Sequence, residues 1–179
     1  MRRANHIVFD GLFVAIAVVL PIFFHWLGVA GSVFLPMHIP VLLAGLIMGT
    51  RTGFLTGLVS PFISCLLTGM PPLWPVLPIM TVELMTYGAV AGYLRRRHYL
   101  AHWLALVGAM TAGRLAAGAA VWLLSMTLQL PIKPEVYVVT ALVTGVPGVF
   151  IQLLFLPLLA SKLEKISGLR KEPDECASS

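Results

Sequence analysis

Apolar residues fill long runs along this chain, and charged residues gather in short clusters between them. The runs predict helices near residues 9–28, 34–50, 52–69, 76–94, 100–128 and 136–161. Each approaches the roughly 20 residues that a helix needs to cross a ~30 Å hydrocarbon core. The expected fold is therefore all-α: an integral membrane bundle of six transmembrane helices over residues 1–168. Residues 169–179, LRKEPDECASS, have the charged, Pro-containing composition of a disordered tail. Arg2 and Arg3 precede the first run as they would in a signal peptide. The run is long, contains Pro21 and lacks a small-x-small cleavage site, so it reads as a helix of the mature protein.

Within the runs the small residues are patterned. Gly45, Gly49, Gly53 and Gly57 recur every four residues on either side of a turn at Thr50 and Arg51. That spacing lets helix backbones approach where no hydrophobic effect draws helices together. The segment from Leu35 to Pro75 thus predicts two tightly met helices rather than a lipid-facing surface.

Composition agrees with the pattern. Hydrophobic residues make up 59% of the 179 positions and charged residues 11%, with a mean hydropathy of +0.94, which leaves too little polar surface to cover a soluble domain. Ten of the twelve Lys and Arg fall on one side of a six-span layout, with Lys133 on the other and Arg114 inside a span. The positive-inside rule puts both termini in the cytoplasm. A basic rim facing anionic lipid accounts for the net charge of +5, so no nucleic-acid partner is implied. Cys65 and Cys176 have neither disulfide nor metal-ligand spacing.

Candidate chemistry rests on the polar groups within spans, because intramembrane charge is costly and is kept for a partner or a function. Glu83 and Arg114 sit at matching depth by helical rise, and can meet as a structural bridge or through a bound molecule. His38 stands between Pro36 and Pro40 at the start of the second run, where it either binds a ligand or satisfies a carbonyl. Tyr87 shares a helix face with Glu83 at i+4. Trp74, in the GMPPLWP loop, is an interfacial aromatic or a lid, and Thr144 lines the outer half of the last span. Gln152 reads as glue between helices.

No GxxxxGK[ST], HExxH or GxSxG sequence and no metal-spaced cluster occurs, which disfavours direct use of ATP and intramembrane catalysis. A small binder that relies on a power source elsewhere fits better. Two other classes stay open: a self-sufficient transporter or channel, active in liposomes without an ATPase, and a membrane enzyme using Glu83 or His38 as general acid or base.

The run IPVLLAGLIMGTRTGFLTGLVSPFIS, residues 39–64, resembles a segment of the substrate-binding S components of energy-coupling factor (ECF) vitamin transporters, notably the riboflavin type. Residues 66–94 and AGRLAAG at 112–118 resemble the same superfamily. The resemblance implies a multi-pass protein of the prokaryotic cell (inner) membrane, not an enzyme, which binds a vitamin or related micronutrient from outside. It also implies as partners a transmembrane coupling subunit and two cytoplasmic ATPases, which use the ATP, while the S component binds no cofactor itself. Family ligand sites lie toward the outer face, where Glu83, Arg114, His38, Tyr87, Thr144 and Trp74 are the candidates here. The family docks its coupling subunit on small residues of the first helix, and Gly11 and Ala15 have that spacing. Met37 and His38 replace the acidic and small polar residues that precede the riboflavin type's Ile-Pro pair, which argues against riboflavin.

Overall fold

A computed structural model describes residues 3–26, 36–128 and 134–166. These form six helices and, among the described residues, no strand: α1 Arg3–Trp26, α2 His38–Met48, α3 Thr50–Thr68, α4 Val76–Arg97, α5 His102–Leu128 and α6 Pro134–Ile166. Lys133 and the expected tail lie outside the described residues. The chain is an all-helical membrane bundle. Ile7–Phe24, Val76–Arg97, His102–Thr127 and Val143–Lys165 are long and apolar enough to cross a bilayer.

The second run departs from its expected extent. In place of a crossing over 34–50 there is an 11-residue helix, about 16 Å long at 1.5 Å per residue. Its limits are local. Pro36 disfavours helical backbone in the residue before it, and Pro40 is tolerated because it lies in the first turn. At the other end Gly49 adopts φ 103° and donates its N–H to the Gly45 carbonyl at 2.9 Å, a left-sided backbone that favours glycine. α3 follows at once. It is 19 residues long, but its inward face is a stripe of buried Thr52, Thr56, Ser60 and Ser64, which lowers its apolarity. The Ser60 hydroxyl donates to the Thr56 carbonyl and the Ser64 hydroxyl to the Met70 carbonyl, so these two hydroxyls are satisfied close to home, whereas the Thr56 hydroxyl is buried without a hydrogen bond.

α2 is the hub. It is buried from Pro40 to Met48 and packs against all five other helices, whereas α1 and α6 make no close approach to each other among the described residues. The expected glycine ladder lies on α4. A Cβ at Gly45 or Gly53 would strike the Gly88 carbonyl, one at Gly57 the Leu84 carbonyl, and one at Gly92 the Thr50 amide. α5 answers from the other side of α4 with buried Ala105, Ala109, Gly113 and Ala117 at four-residue spacing. Apolar side chains such as Val19, Phe23, Leu115, Trp122, Phe150 and Phe155 point outward, as expected of a surface solvated by lipid tails rather than water.

The contacts also fix which ends meet. The beginnings of α1 and α5 gather with the ends of α2, α4 and α6, since Phe9 faces Met48 and Leu163 across one groove and Arg95 reaches Glu164. This is the basic end of the bundle.

Candidate functional site

Three helices bring four of the predicted site residues together. By helical rise from the basic end, His38 lies about 15 Å up α2, Arg114 about 18 Å up α5 and Glu83 about 21 Å up α4, so all three share a layer well inside the bilayer. Arg114 Nη1 stands 2.9 Å from Glu83 Oε1. The Tyr87 hydroxyl donates to the same oxygen at 2.9 Å. The side chains of Glu83 and Tyr87 are joined by one helical turn, the i, i+4 relation that puts them on one face.

Local sequence explains the convergence. Gly113 has no side chain, and a Cβ there would overlap the Tyr87 ring, so the ring lies directly on α5. The next residue is Arg114, which is thereby held opposite the carboxylate. On the α2 side the His38 ring packs against Tyr87 with centroids 5.1 Å apart and planes inclined by 59°.

His38 is the unusual member. It is only 2% exposed, yet neither ring nitrogen has a hydrogen-bond partner. Its Nε2 lies 3.8 Å from Glu83 Oε1, too far for a hydrogen bond. Buried polar groups are nearly always satisfied, so two orphaned nitrogens on one ring call for an explanation. The cluster thus offers a fixed anion, a fixed cation with further N–H donors, a phenol and an imidazole without a hydrogen bond within one layer, which suits a ligand carrying both acceptor and donor groups.

The remaining candidates stand elsewhere. Trp74 is about half exposed in the loop before α4, whose first residue, Val76, is itself roughly 10 Å of rise from Glu83. Thr144 is exposed on α6 beside outward-facing Val143 and Val146, and its hydroxyl donates to the Thr140 carbonyl at 2.7 Å. Neither is brought to the cluster by a described contact. Gly11 and Ala15 are exposed on α1, and a Cβ at Gly11 would meet nothing within 4 Å.

A second ionic cluster at the basic end was not foreseen. Arg95 makes a two-pronged bond to Glu164 at 3.3 and 2.8 Å, and His102 Nε2 lies 3.3 Å from the same carboxylate. Arg95 also donates to the Leu100 carbonyl and Arg96 to that of Ile47, so the ends of α2, α4 and α6 are tied together with the start of α5. The signal lay in Glu164, three residues beyond the end of the last apolar run, where it looks like part of a solvated tail. Asp10 of α1 was also passed over; its Oδ1 is shielded and has no hydrogen bond.

Among known proteins, a family model described as "ECF transporter, substrate-specific component" matches residues 5–160. No curated protein and no solved structure matches the chain significantly.

Proposed function

This chain belongs to the substrate-specific component family of ECF transporters, and from that premise we propose that it binds a vitamin-like micronutrient at the Glu83, Arg114, His38 and Tyr87 cluster. In this reading all six helices are membrane-embedded, both termini are cytoplasmic by the bias of Lys and Arg, and substrate arrives from the outer face of a prokaryotic cell membrane. Import then needs a coupling subunit and two ATPases, since the chain has no phosphate-cradling loop of its own.

The observation that supports the site most is the shielded imidazole of His38, neither nitrogen of which makes a hydrogen bond, with Nε2 3.8 Å from the carboxylate of a buried ion pair. An imidazole left unsatisfied in the free protein costs stability that a bound ligand restores. The test follows from that imbalance. His38→Phe replaces the imidazole by a somewhat larger ring that has no nitrogens, so relief of the unsatisfied groups opposes the cost of the added volume and thermal stability in detergent should change little. Ligand copurifying with the protein, counted by native mass spectrometry, should fall roughly tenfold or more, as expected for one lost hydrogen bond to a buried group. Unchanged ligand occupancy in a folded His38→Phe protein would remove His38 from the site.

The docking face is proposed on α1 at Gly11 and Ala15. Because the space at Gly11 is open, Gly11→Trp should leave the melting temperature of the isolated protein unaltered. In the same cells it should abolish recovery of the coupling subunit in a pulldown. Full recovery with Gly11→Trp would move the docking face elsewhere.

A further inference from the structure

α1 and α6 both rest on α2 without closing over it, and the gap between them is a groove of about 390 Å³. Its walls are Phe13 and Ile16 of α1, Pro40, Leu43 and Ile47 of α2, and Leu159 of α6, and almost no polar surface lines it. The groove is separate from both sites discussed so far. At 100° per residue, Gly11 and Ala15 point roughly 130° round α1 from the wall formed by Phe9, Leu12, Phe13 and Ile16. The ionic cluster of Glu83 lies on the other side of α2, toward α4 and α5.

Two observations say what fills it. The walls belong to the apolar stretches Ile7–Phe24 and Val143–Lys165, so the surroundings are hydrocarbon, and the occupant must be apolar along about 14 Å of rise from Ile39 to Met48. At Met48 and Leu163 the groove reaches the basic end. There the described side chains of Arg51, Arg95, Arg96, Arg97, Lys162 and Lys165 outnumber the carboxylates of Asp10 and Glu164. The Arg96 guanidinium donates to the carbonyl of Ile47, itself a wall residue, which fixes a positive charge at the same end of α2 as the Met48 end of the groove. An apolar slot ending in fixed positive charge complements one molecule type in a bilayer: a lipid with an acyl tail and an anionic head.

We infer that this groove is a binding site for a single anionic phospholipid, its acyl chain along α2 and its phosphate at Arg96. The tail packs on Ile39 and Pro40, the two residues that follow His38, so lipid and candidate substrate share one short helix from opposite sides.

Native mass spectrometry after release from nanodiscs of equimolar phosphatidylglycerol and phosphatidylcholine tests this. The wild-type chain should retain one phosphatidylglycerol. Leu159→Trp and Ile16→Trp fill the groove from its partly exposed flanks and should each lose it while remaining monodisperse. Arg96→Gln should retain a lipid with no preference between the two heads. The inference is overturned if wild type retains no lipid, if it retains both lipids equally, or if whichever folded filling variant is obtained keeps its phosphatidylglycerol.

Discussion

Glu83→Ala is expected to destabilise the protein by about 3–5 kcal/mol, the range for removing one partner from a buried ion pair. The substitution leaves the Arg114 guanidinium about 18 Å from the basic end of the bundle and removes the acceptor of the Tyr87 hydroxyl. Arg114→Ala should cost less than this, because the carboxylate keeps the Tyr87 bond. The informative variant is the double one, Glu83→Ala with Arg114→Ala. Residues in direct contact are non-additive by about 0.5–3 kcal/mol, and an apolar replacement of both charges removes the penalty of an orphan. The double variant should thus unfold in detergent at a higher temperature than Glu83→Ala alone, while copurified ligand is lost. Recovered stability with lost ligand marks the pair as part of the binding site. Recovered stability with ligand retained would make it a bridge between α4 and α5. Strictly additive losses would show that the two side chains do not interact as the 2.9 Å contact requires.

Gly88→Leu should prevent recovery of monodisperse protein. Gly88 lies where α2, α3 and α4 cross: a Cβ there would penetrate the Gly53 carbonyl, and the Gly88 carbonyl itself abuts Gly45. Overpacking typically costs about 1–3 kcal/mol when side chains can shift. Here the obstacle is the backbone of α3 at Gly53, which cannot turn aside as a side chain can, so the cost should exceed that range. Even Gly88→Ala should lower the unfolding temperature, whereas Gly11→Ala, in open space, should leave it unaltered. Size-exclusion profiles and thermal unfolding of the three variants decide the matter. A monodisperse Gly88→Leu protein with unchanged melting would refute the tight crossing.

Much of this was legible from residue order. Charge placement and apolar run length located all six helices, and helical rise alone put Glu83 and Arg114 at one depth. The glycine ladder announced close packing, though not that its partner surface is Leu84, Gly88 and Gly92 of α4. What stayed hidden has a common cause. In water a helix shows its buried face by contrast with a polar one, but lipid removes that contrast. Thr144 and Gln152 therefore look alike in sequence, yet one faces outward and the other is buried. The partnership of Arg95 with Glu164 joins residues 69 positions apart, and no periodicity within either helix encodes it. α2 was overextended because its apolar composition continues past Pro36 and Gly49, the residues that limit it.

The shortness of α2 bears on biogenesis. A translocon sorts segments into the bilayer by apolar length, and 11 residues cover only about half of the hydrocarbon. α2 cannot be released into lipid as an independent span. It is stable at that depth only once α1, α4, α5 and α6 present their faces to it, so its arrival belongs to the last stage of assembly. His38 arrives with it. Competence to hold a ligand is then a signature of completed maturation, and a chain stalled during insertion would carry the Glu83–Arg114 pair without the imidazole.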